Sequence, residues 1–90
     1  MKRIYKYTLN IIDKQKIKMP YGSMILHVDM QNENLCLWAE VDTEAPQEEE
    51  TFYVRGTGQP IPDDDAYYVG SAVGSVLVWH VYQYIGREYE

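Results

Sequence analysis

Arg55, Gly56, Thr57 and Gly58 set a cation beside a glycine-spaced turn, the ingredients of a backbone nest that faces an anion with its N–H groups. They belong to the stretch YVRGTGQPIPDDDAYYVGS over residues 53–71, which also carries two prolines and three consecutive aspartates. Three kinds of chemistry compete for it: a phosphate cradle, a metal loop, or a stiffened connection with none. A Walker-type loop is excluded, because the Lys-Ser/Thr pair is missing and no helix follows. Asp63, Asp64 and Asp65 are a poor metal set, since consecutive residues point in different directions and calcium loops place acids at alternate positions. The connector ranks first, the anion contact second and the metal third.

The histidines offer less. His27 precedes Asp29 by two residues, and His80 lies between Trp79 and Val81. A general base needs an orienting partner and a nucleophile or water within reach. Ser71 and Ser75 are near His80 only along the chain, and no nucleophile elbow or triad spacing is present. Both histidines read as satisfied structural groups. Cys36 has no adjacent cation to activate a thiolate and reads as a small hydrophobe. The chain is therefore read as a non-enzyme without cofactor or metal.

Aromatic residues say more. Tyr53, Tyr67, Tyr68, Trp79, Tyr82 and Tyr84 crowd the last third of the chain, more than a small core holds. Tyr and Trp suit interfaces and the stacking of flat ligands. The ligand site expected from these residues is Tyr53, Tyr68, Trp79 and His80 around the Arg55, Gly56, Thr57 and Gly58 turn.

The elements that must position them are strands. Apolar and polar residues alternate from Arg3 to Ile11, with Tyr5, Tyr7, Leu9 and Ile11 on one face, and again from Lys14 to Met19. A turn at Asp13-Lys14 makes these two a basic N-terminal hairpin on an acidic body. A third strand, SMILHVDMQ, sets Met24, Leu26, Val28 and Met30 on one face and Ile25, His27, Asp29 and Gln31 on the other. Asn32-Glu33 turns it into NLCLWAEVD, with Leu35, Leu37, Ala39 and Val41 inward. DTEAPQEEE over residues 42–50 reads as an acidic loop, Thr51 to Arg55 as a fifth strand. YYVGSAV and VLVWHVYQYI are the last two, joined by a two-residue type II′ turn at Gly74-Ser75. The final GREYE reads as a frayed tail. Seven short strands without helix-period spacing predict one all-β domain over residues 1–90, a compact antiparallel sandwich or partly open barrel.

Composition narrows the partners. The 90 residues carry a formal charge of −6, against binding of nucleic-acid backbones, and no apolar run is long enough to span a membrane. The first thirteen residues read as a strand and not as a secretory leader. A single cysteine suits a reducing cytoplasm. A chain this short has a thin core, so a homo-oligomer is expected.

Lys6-Tyr7 with Leu9, Met19-Pro20, Leu35-Cys36-Leu37-Trp38-Ala39 with Val41-Asp42, Gly56-Thr57-Gly58 with Pro60-Ile61, and Trp79-His80-Val81 together resemble a family of short phage and prophage proteins known as a domain of unknown function. The resemblance covers nearly the whole chain and brings no catalytic residues with it. It implies a host bacterial cytoplasm and a binding role against host defence. Two modes are open: sequestration of a nucleotide second messenger by an oligomer, or blockade of a host defence protein by an acidic surface that imitates nucleic acid. A virion accessory role is a third.

Overall fold

The computed structural model describes residues 1–63 and 65–86. Seven strands follow in order: β1 (Lys2–Leu9), β2 (Lys14–Pro20), β3 (Met24–Gln31), β4 (Asn34–Asp42), β5 (Gln47–Gly56), β6 (Ala66–Val73) and β7 (Val78–Tyr84). They form two antiparallel sheets, β1-β4-β3 and β2-β5-β7-β6, packed as a sandwich. No barrel closes, and the described residues contain no helix. The tail from Arg87 to Glu90 lies outside the described residues, as does Asp64 of the aspartate triplet.

The period-two pattern explains the core. Leu35, Leu37, Ala39 and Val41 of β4 face Phe52 and Val54 of β5, Val81 of β7 and Met19 of β2, all buried. Each sheet contributes one apolar face, and burial of a side chain of this size is worth about 1.5–3 kcal/mol. The central strands β4 and β5 carry the most buried positions, and β7, flanked on both sides as well, has no exposed one.

Four expectations are corrected. The basic N-terminal hairpin does not form: β1 pairs with β4, whereas β2 crosses to the other sheet and pairs with β5. Pairing β1 with β2 would lay their cations side by side without an acid. The observed partners supply acids instead, Asp42 opposite Lys2 and Glu49 opposite Lys18. The same pairing draws Gln47–Glu50 out of the expected acidic loop into β5, overriding the weak strand preference of glutamate.

The β6–β7 connection runs over four residues, Gly74–Leu77, closed by a hydrogen bond from the Gly74 N–H to the Leu77 carbonyl (2.8 Å). Val76 therefore sits at the exposed tip and is not part of the last strand. Finally, a bulge at Leu26 breaks the alternation of β3. Ile25, Val28 and Met30 turn toward the core, while Met24 and Leu26 are exposed.

A second bulge interrupts β6 between Tyr68 and Gly70. The two bulges flank the place where the sheets meet: a Cβ built on Gly70 would lie 2.8 Å from both Cβ and Cγ2 of Val28. Only glycine fits there. Gly70→Ala should destabilise the protein by about 1–3 kcal/mol, the usual cost of forcing extra volume into a packed site. In a urea-denaturation cycle Val28→Ala should recover part of that loss, giving a coupling of roughly 1 kcal/mol; additive effects would contradict the contact.

Candidate functional site

Strand register assembles the site on the outer face of the β2-β5-β7-β6 sheet. One rung runs Lys14, Tyr53, Tyr82, Tyr68 across all four strands, and the next runs Arg55, His80, Ser71. In an unbroken strand Tyr68 and Ser71, three apart, would face opposite ways. The β6 bulge puts both on this face, and their hydroxyls lie 2.6 Å apart.

The chain of polar contacts continues through the histidine. Ser71 Oγ is 2.7 Å from His80 Nδ1, and Thr57 Oγ1 is 2.8 Å from His80 Nε2. In the neutral imidazole one nitrogen donates and the other accepts, so each meets a hydroxyl that serves in either role. Among the described residues both ring nitrogens face hydroxyls and neither faces a carboxylate. The ring is thus held in place without the acid that would orient a catalytic base. Tyr68, 55% exposed, stands edge-on to Tyr82 with ring centroids 5.8 Å apart.

Arg55 does something other than await an anion. Its side chain is only 13% exposed. Nε donates to the Pro60 carbonyl (3.0 Å), and Nη1 donates to the Asp13 and Val54 carbonyls (2.8 and 3.1 Å) while pairing with Asp13 Oδ1 (2.7 Å). The guanidinium clasps the β1–β2 connection to the loop after β5. It also lies over the ring of Tyr53 at 5.6 Å, with Lys14 at 5.8 Å, and Tyr53 is only 3% exposed.

The glycine turn is similarly engaged. Gly56 N–H donates to the Gln59 side chain, Thr57 N–H to the Val78 carbonyl, and Gln59 N–H back to the Gly56 carbonyl. Gly58 has φ of 97°, the left-handed value that glycine tolerates at the third position of such a turn. With these N–H groups turned inward, the loop is a rigid connector that presents the Thr57 hydroxyl to His80. Trp79 does not join the site: it lies on the inner face, partly buried against the core, and its ring would touch a Cβ placed on Gly56 at 3.3 Å.

A groove of about 740 Å³ adjoins this face where β5 runs on beyond the end of β7. Lys14, Lys16, Tyr53 and Tyr84 line it, together with Tyr67, Gln83 and Glu48 to Glu50. Buried Gln83 accepts from the Tyr67 hydroxyl (2.8 Å) and donates to Glu50 (3.1 Å). Burial, and then the Glu50 carboxylate, push the Tyr67 phenol above its ordinary pKa.

The other singled-out residues lie elsewhere. Exposed His27 sits on the outer face of the three-stranded sheet, 3.4 Å from Asp29 Oδ2 and against the Trp38 ring. Cys36 is buried, near the Thr8 hydroxyl and the Asn34 carbonyl. Along the chain Ser71 is only a neighbour of His80; the isolated Gly70 inside β6 is the sequence feature that could have revealed the bulge bringing it into line.

Residues 1–90 match the model of a family described as a domain of unknown function, DUF7352, and the chain belongs to that family. No curated protein and no solved structure matches it significantly. The clasp makes a direct prediction. Arg55→Lys cannot reach Asp13 and Pro60 together and should lose about 1–3 kcal/mol in urea denaturation. Asp13→Asn, at an exposed carboxylate, should lose under about 1 kcal/mol.

Proposed function

We propose that this member of the DUF7352 family is a non-enzymatic binding protein whose outer β2-β5-β7-β6 face takes a small planar anion, with a nucleotide as the fitting class. The observation that carries this reading is the row Tyr68, Ser71, His80 and Thr57 beside an aromatic rung that ends in Lys14. Four adjacent strands span roughly 14 Å at the usual strand spacing, the reach of a nucleotide laid along the rung. The base would stack on Tyr68, the hydroxyls and imidazole would read its polar edge, and the phosphate would lie toward Lys14. Arg55 contributes by fixing Tyr53 and the Thr57 loop, not by meeting the phosphate.

An acidic imitation of nucleic acid is less well served. Strand alternation divides Glu48, Glu49 and Glu50 between the two faces of β5. Glu49 lies opposite Lys18, and Glu50 accepts from Gln83. The resemblance to phage and prophage proteins is the ground for placing the binding in a host bacterial cytoplasm, where withholding a nucleotide second messenger would blunt defence.

Thermal denaturation with a panel of cyclic and linear nucleotides tests this. A ligand at a hundredfold excess over its Kd should raise Tm by about 10 °C or more. Tyr68→Ala, at an exposed ring, should remove the shift and leave the unliganded Tm nearly unchanged. A panel without any stabilisation would end the nucleotide reading.

A further inference from the structure

Each sheet has two end strands, β1 and β3 in one and β2 and β6 in the other; β3 and β6 meet at the Val28–Gly70 corner, which leaves β1 and β2 as the outlying edges. Such an edge carries a row of open N–H and C=O groups and invites another strand unless it is guarded, most often by lysine. The two edges differ in how they are guarded. In β2 the lysines occupy positions 14, 16 and 18, all of one parity. Antiparallel self-pairing centred on Lys16, Ile17 or Gln15 therefore always sets lysine directly against lysine.

In β1 the basic residues are Lys2, Arg3 and Lys6. Self-pairing centred on Tyr5 places Tyr5 opposite Tyr5 of the second copy, Arg3 opposite Tyr7, Ile4 opposite Lys6, and Lys2 opposite Thr8. No cation directly opposes a cation, and Arg3 gains a ring to lie over. The lysines of β1 also lean away from the open edge. Lys6 Nζ donates to Gln31 Oε1 on β3 (2.6 Å), and Lys2 Nζ pairs with Glu40 on β4 (3.4 Å). Apolar surface is left open at mid-strand on both faces: Ile4 is 64% and Tyr5 41% exposed.

We infer that β1 is a homodimer edge, two copies pairing antiparallel about Tyr5 to make one continuous six-stranded sheet. The occupant is a second copy of this chain because the register that avoids charge conflict is its own. The interface lies on the other sheet from the proposed ligand face and does not depend on that reading.

Light scattering coupled to size exclusion should find the full chain at twice its 10.6 kDa mass. Tyr5→Lys sets like charges on the two-fold axis and should run at the single-chain mass with an unchanged circular dichroism spectrum. Tyr5→Cys should form a disulfide-linked dimer under mild oxidation, whereas Lys6→Cys, opposite Ile4, should not; buried Cys36 does not compete. A monomeric wild type overturns the proposal. So does a dimer that fails to cross-link through position 5, whatever the folding of Tyr5→Lys.

Discussion

Val28 and Gly70 approach so closely that a single added methyl on the glycine would overlap the valine, and this corner is what lets two sheets share one small core. Neither strand reaches it with regular geometry. β3 takes on an extra residue at Leu26 and β6 another just before Gly70, each bending its strand where the other sheet arrives. Val28 belongs to the same buried cluster as Leu37 and Val41 from one sheet and Phe52 and Val81 from the other.

The same two irregularities arrange the polar surface. One extra residue in β6 turns Ser71 to the face already occupied by Tyr68, and β7 presents His80 opposite it. One extra residue in β3 turns His27 against Trp38, with Ile25 sent inward in its place. From the other side, Arg55 ties the β1–β2 connection to the turn that carries Thr57. The row from Tyr68 to Thr57 is thus held at both ends by the fold: by a bulge, and by a guanidinium clasp.

Alternation in the chain was enough to recognise all seven strands, because each sheet has one wet and one dry face and the apolar period follows. The inward set of β4 and the Asn32-Glu33 turn, with φ of 50° and 66°, were equally legible. Parity before the bulge was not: Val28 and Met30 face inward as the alternation reads, but the extra residue at Leu26 exchanges the faces of Met24 and Ile25. Strand partners were hidden as well: β1 and β2 each pair with a strand far along the chain, β4 and β5, and not with each other. Of the expected site, Tyr53, Arg55, Thr57, Tyr68 and His80 share one face. Trp79 does not, because its neighbour His80 takes the outer position and strand geometry sends the next residue in.

A nuclear Overhauser spectrum of the labelled protein reads the Val28–Gly70 corner directly. Strong cross-peaks between the Val28 methyl groups and the Gly70 α-protons, with Ser71 β-protons close to both the Tyr68 and His80 rings, are the predicted result. Absence of the Val28–Gly70 cross-peaks in a folded sample, or a Ser71 side chain near core methyl groups, would contradict it.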